Sequence, residues 1–236
     1  MTTLRDDLDT RKEEFDTHFA LAEALEDRMM IDASIGTVSL SARHINTIKS
    51  GLIVHLYNIE EAIMSQALHF LGGALGSVDP RKWTEHSLRE WLRESIVART
   101  SEGSEDGRLS TVYQTSNLLL TQPILGQQKL KKPSGTWDDK VIAKFVERMN
   151  VTFNMPPDMW RDIAARPEYG EKTPLQFLAD RRNAIAHGRR SFEDGASDLG
   201  LNDIRKLADI TLGYMKYAAD AFQAHIDNDA YLVPAA

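Results

Sequence analysis

Between Ser41 and Leu71 the apolar residues Ile45, Ile48, Leu52, Leu56, Ile59, Ile63, Ala67 and Phe70 recur at intervals of three or four. A repeat of this period held for about seven turns marks an α-helix with one buried side; a strand repeats every two residues. It predicts the longest buried helix of the chain, and a helix with so much apolar surface has to be covered by others. Gly72, Gly73 and Gly76, followed by Asp79 and Pro80, are expected to end it.

The remaining segments supply the cover. Residues 4–30 read as a charged amphipathic helix with an interrupted stripe of Leu8, Phe15, Phe19, Leu21 and Leu25. Residues 31–40, with Gly36 and several β-branched residues, read as a loop or short extended piece. Helices are expected over 81–99, 138–149 and 158–165. Thr173 and Pro174 have the residue types of an N-cap and first helical position, for a helix running to His187 with Gly188 as its left-handed cap. A last long helix spans about 201–228, with Ile204, Leu207, Thr211, Tyr214, Ala218, Phe222 and Ile226 inward.

Residues 101–107 form an acidic, glycine-containing loop, and 108–136 are expected to be irregular. Leu118, Leu119, Leu120, Ile124 and Leu125 want burial there, but Pro123, Gly126, Pro133 and Gly135 interrupt any element. Lys129, Lys131 and Lys132 form a small basic patch in the same region. The tail from Ala230 is expected to dock on the surface. Strand-like alternation is scarce, so the expected class is all-α: one helical domain over 1–236, with 77–170 as an inserted, partly irregular subregion.

Composition narrows the function classes. With no cysteine among 236 residues, disulfides and thiolate metal sites are excluded. The acidic start, Met1 to Asp7, is not expected to be a signal peptide. The apolar region around 51–75 is interrupted by His55, Asn58, Glu60, Glu61, Gln66 and His69, so no membrane span is expected and the location expected is the cytoplasm. A net charge of −7 argues against a broad nucleic-acid-coating surface, so any phosphate contact must be local.

One local concentration stands out. Arg181, Arg182, Asn183, His187, Arg189 and Arg190 fall within ten residues. On a helix Asn183 and His187 share one face. Imidazole is suited to proton transfer near neutrality, and guanidinium presents a permanent charged fork to a phosphate. No metal motif, P-loop or GxSxG elbow accompanies them, so neither a metal nor a cofactor is expected. Without a metal the substrate must bring its own nucleophile, and RNA does, in its 2′-hydroxyl. The products would be a 2′,3′-cyclic phosphate and a 5′-hydroxyl. The bare arginine–histidine spacing is common, recurring at Arg11–His18 and Arg81–His86. On that spacing alone, a surface cluster with a capping histidine is favoured over a catalytic site.

A longer pattern separates the readings. Arg182-Asn183-Ala184-Ile185-Ala186-His187-Gly188 resembles the Arg-Asn-x-x-x-His-Gly signature of HEPN domains, the all-α ribonucleases of prokaryotic toxin–antitoxin and phage-defence systems. Leu56-Tyr57-Asn58-Ile59-Glu60-Glu61 is similar to the early helix of the MAE_28990/MAE_18760-like HEPN nucleases, and aligns the family acid with Glu61. His187 to Gly195 resembles that subgroup's His-Gly-x-x-Ser-Phe turn. The resemblance implies a HEPN-like bundle with long antiparallel helices, and a homodimer that brings two signatures into one cleft. It implies metal-independent RNA cleavage with Arg182 and His187 as the catalytic pair, Asn183 orienting them, and Glu61 holding Arg182 or the imidazole. Arg181, Arg189, Arg190, Tyr57 and Asn58 are then expected to contact the RNA. An antitoxin or defence-operon protein is an expected partner. Some HEPN toxins carry a modified tyrosine two residues after the histidine; that position is Arg189 here, which departs from the pattern. The alternatives are a catalytically inactive helical module that binds RNA or protein and, further off, a metal-dependent hydrolase using the scattered histidines.

Overall fold

A computed structural model describes residues 3–31, 35, 39–121 and 126–234. Among these are eight α-helices: α1 (Leu4–Met30), α2 (Ala42–Leu75), α3 (Glu85–Leu92), α4 (Glu105–Thr121), α5 (Asp139–Met149), α6 (Pro157–Asp162), α7 (Pro174–Ala186) and α8 (Leu201–Asp227). The described residues contain no strand; isolated bridges pair Trp83 with Leu232 and Arg166 with Lys172. The protein is all-α. The expected loop at 31–40 and the leucine–isoleucine pair at 124–125 lie mostly or wholly outside the described residues.

The chain divides into two compact units, neither continuous in sequence. The first comprises 1–63, 136–139 and 155–218; the second comprises 64–135, 140–154 and 219–236. In the first unit α1 starts at a capping box, in which Thr3 accepts from the Asp6 N–H and the Asp6 carboxylate accepts from the Thr3 N–H. It buries Leu4, Leu8, Phe15, Phe19 and Ala22. Leu21, expected inside, is exposed because Ala22 falls nearer the line through 15 and 19. Phe15 meets His55 of α2 at a ring distance of 5.7 Å, and Arg205 of α8 lies 3.9 Å over Phe19 while pairing with Asp16 at 2.6 Å. α1 is thus clamped by α2 on one flank and α8 on another. Lys49 of α2 donates to the Leu199 carbonyl at 2.7 Å and fixes the approach to α8.

In the second unit α2 runs through Gly72 and Gly73, two of the glycines expected to stop it, and ends at Leu75, directly before the third, Gly76. Those glycines serve close approach. A Cβ on Gly72 would lie 2.1 Å from the Gln128 carbonyl oxygen, and one on Gly76 would lie 1.6 Å from that of Gly126. The bare backbone lets 126–128 pair along the helix end, with Gln128 N–H donating to the Gly72 carbonyl and Gly126 N–H to that of Gly76, each at 3.0 Å.

Residues 105–121, expected to end an acidic loop and begin an irregular stretch, form α4. It buries only Thr115, so no periodic stripe marked it in the sequence. Leu118 and Leu120 are exposed, whereas Leu119 packs on a cluster of Leu75, Trp83, Trp91 and Tyr231. The helix expected over 81–99 is broken into a 3-10 turn (Pro80–Lys82), α3 and a π-turn (Arg93–Val97). The tail docks as expected: the Tyr231 carbonyl accepts from Thr84 N–H, and Val233 N–H donates to the Lys82 carbonyl. No helix among the described residues is long and apolar enough to cross a membrane.

Candidate functional site

The signature segment lies wholly in the first unit, on α7 and the turn after it. Thr173 caps α7 by accepting from the Gln176 N–H at 3.1 Å, with Pro174 in the first turn. At the other end His187 is the C-cap, and Gly188 adopts a left-handed φ of 69°. The N–H groups of His187, Gly188 and Arg190 return to the carbonyls of Asn183, Ile185 and Ala184. This places His187 at the point where the helix gives way to a turn, with its ring exposed.

Arg182 is the centre of the contacts. Its Nη2 donates to Oε2 of Glu61 at 2.9 Å and its Nη1 to Oδ1 of Asn183 at 3.2 Å. Its guanidinium lies 4.3 Å over the ring of Tyr57. Asn183 in turn donates through Nδ2 to Oγ1 of Thr136 at 2.8 Å. The donating NH2 of Asn183 faces a hydroxyl and its carbonyl faces a guanidinium, so both ends of the amide are oriented. A chain Glu61–Arg182–Asn183–Thr136 therefore holds the guanidinium from two sides and the aromatic ring of Tyr57 supports its face.

Tyr57 is fully buried, and its hydroxyl accepts from the Trp137 N–H at 3.2 Å. Burial pushes its phenol well above the ordinary range, and Glu61 and Glu60 push the same way. Glu60 is buried, whereas Glu61 keeps about a third of its side chain exposed at 37% and reaches Arg182. The adjacent acids part company because neighbours on a helix point about 100° apart.

The other arginines divide. Arg181 is buried, forks onto Asp198 at 2.6 and 2.9 Å, donates to the Gly195 carbonyl at 3.0 Å and stacks on Phe177 at 4.8 Å. Its hydrogen bonds hold the Asp198 carboxyl below its usual range. Arg190 is exposed and leans back on Asp198 at 3.4 Å and on the Asp194 carbonyl at 3.3 Å. Arg189 and His187 are exposed, and neither side chain is bonded to the described residues. Asn58 is exposed one residue beyond Tyr57 on α2.

The structure thus brings Glu61, Tyr57, Arg182 and Asn183 together and leaves His187, Arg189 and Asn58 facing solvent. Two contributors went unread in the sequence. Thr136 ends a stretch expected to be irregular and Trp137 lies between it and the next expected helix, with no periodicity to flag either. Phe192, about half exposed on the turn that follows His187, offers a ring face of the kind on which bases stack. Among the described residues no group of three or more His, Asp and Glu side chains is arranged to hold a metal ion.

Comparison with known families covers nearly the whole length of the chain. The family model described as MAE_28990/-like HEPN matches residues 1–231. No curated protein and no solved structure gives a significant match. With the Arg-Asn-x-x-x-His-Gly segment closing α7, the acid-bearing α2 beside it and a match from the first helix to the docked tail, the chain belongs to the MAE_28990-like HEPN family.

Proposed function

We propose that the protein is a metal-independent endoribonuclease, acting as a toxin or phage-defence effector, whose active site is completed by a second copy of the chain. The observation that carries this reading is the oriented guanidinium of Arg182, with the exposed His187 closing the same helix and its ring bonded to nothing among the described residues. A guanidinium held by Glu61, Asn183 and Tyr57 keeps its direction without reorganising, as stabilisation of developing phosphoryl charge requires. An imidazole with both ring nitrogens bonded within the fold would be unavailable for proton transfer; the His187 ring is bonded to nothing among the described residues.

In the proposed reaction His187 of one copy takes the 2′-hydroxyl proton as the 2′-oxygen forms its bond to phosphorus. The bond from phosphorus to the 5′-oxygen breaks, and the leaving oxygen takes a proton from the second copy's imidazole. Arg182 of each copy balances the charge on the equatorial oxygens. The products are a 2′,3′-cyclic phosphate and a 5′-hydroxyl, and the proton count is unchanged.

Of the residues expected to touch RNA, Arg189, Arg190 and Asn58 are assigned to it. Tyr57 and Arg181 are assigned to support, because their burial turns their polar atoms toward protein. An antitoxin or other partner would act by covering the exposed turn around His187. Purified protein incubated with RNA in EDTA is expected to leave cyclic-phosphate ends, and His187→Ala to lower the rate by at least about a hundredfold. Equal cleavage by the variant would remove His187 from the mechanism, and RNA binding with no cleavage by wild type would leave a binding module.

A further inference from the structure

The second unit contains a cleft of about 530 Å³ that shares no residue with the signature segment. Six of its lining side chains are lysine or arginine and two are glutamate, a local surplus of four positive charges in a chain whose net charge is −7. Arg89 is paired outside with Glu85, which leaves a surplus of three, and the cations that matter to the cleft are Arg93, Arg148, Lys131 and Lys144.

Its floor is built. Glu90 is 1% exposed, and a buried carboxylate is costly unless fully paired. Arg148 grips it with two donors, the Nε at 2.8 Å and an Nη2 contact closing the fork, and Arg93 adds a third at 2.7 Å. One carboxylate thus fixes two guanidiniums, only one of which it can neutralise. Arg93 opens the π-turn of residues 93–97, where Ala98 N–H reaches back to the Arg93 carbonyl at 2.8 Å; such turns recur at functional sites. His86 fixes the backbone of the same arginine, since its Nδ1 lies 3.1 Å from the Arg148 carbonyl and must donate there. Lys131 and Lys144 are exposed at the cleft and take no part in the ion pairs of the described residues.

We propose that this cleft binds phosphate groups, presented by a nucleotide or by a polynucleotide strand. Guanidiniums locked in direction at the floor and exposed lysines at the rim match a multiply charged tetrahedral oxyanion, which a single carboxylate ligand would not need. The cleft's volume falls in the range of small-ligand sites. The proposal does not rest on RNA cleavage.

The test compares wild type with the charge-reversed Lys131→Glu/Lys144→Glu protein, each full length, by titration with three probes: ATP, a short uncleavable 2′-O-methyl RNA, and poly-glutamate. Neither lysine is buried or ion-paired, so the double variant is expected to keep the wild-type melting temperature. Phosphate binding predicts that this variant weakens ATP or RNA by at least about tenfold. If the strand is the ligand, its salt slope also falls by about 1.4 as two phosphate contacts are lost. No probe carries a 2′-hydroxyl beside a 3′-phosphodiester, so binding is read without cleavage and this outcome stays separate from failure of the cleavage reading. ATP binding lost in the double variant assigns a nucleotide; RNA binding lost without ATP binding assigns a strand. Unchanged affinity for both in the double variant, or poly-glutamate binding as tight as the phosphate probes, overturns the proposal.

Discussion

At the residue scale the site depends on which of two adjacent acids points where. Glu61 pairs with Arg182 at 2.9 Å while keeping contact with solvent, a geometry in which the ion pair adds little to stability. Its worth lies in direction. Glu61→Gln keeps the shape but loses the charge that anchors the fork. The expected outcome is a fall in kcat of up to about a hundredfold with KM and melting temperature nearly unchanged, since misplacement of a catalytic group by about 1 Å costs that much. Steady-state kinetics beside a thermal melt checks it; a loss in melting temperature with kcat intact would make Glu61 merely structural. The buried Arg181 illustrates the opposite allocation, because its donors go to Asp198 and Gly195 and are used up within the fold.

At the element scale the informative case is the end of α2. Glycine is a poor helix former in isolation, and three glycines near one another read as a stop. The helix continues because its packing against 126–128 supplies hydrogen bonds that only a side-chain-free backbone can accept. The two neighbouring helical glycines should therefore respond differently. Gly72→Ala puts a methyl against the Gln128 backbone and is expected to destabilise by about 1–3 kcal/mol or more. At Gly73 the nearest obstacle is the flexible end of Gln127 at 3.2 Å, so Gly73→Ala is expected to be neutral or stabilising by up to about 1 kcal/mol. Urea denaturation of the two variants separates them; equal destabilisation would mean that helix propensity, not close approach, governs this end.

At the scale of the whole molecule, two histidines tie stability to pH. Burial lowers the pKa of His55 below its ordinary 6.5, with His18, whose Nδ1 stands 3.3 Å away, acting in the same direction; burial alone lowers that of His225. The Nε2 of His225 is buried with no hydrogen-bond partner among the described residues. As pH falls through 6.5 the unfolded chain takes up protons that the folded one refuses, so folding stability is full above that value and declines below it. The melting temperature is expected to be lower at roughly pH 5.5 than at 7.5, with the difference reduced in His225→Leu. A flat profile in wild type would show that neither ring resists protonation. If the active site is shared between two copies, specific activity is also expected to fall on dilution, in step with the dimer fraction measured by sedimentation.

The sequence by itself determined the class and most of the helices, because α1, α2, α5, α7 and α8 each bury one face and a buried face leaves a period. It also determined the signature pair and the acid on α2, because a family pattern preserves residue types at fixed positions. Tertiary structure alone decided what has no period. α4 buries a single residue and left no stripe; Thr136 and Trp137 act through partners 47 and 80 positions away along the chain. It alone decided which arginines are free. Arg181, Arg182, Arg189 and Arg190 are one residue type in one short stretch, and their roles separate only when Asp198, Glu61 and open solvent are brought to different sides of the same helix end.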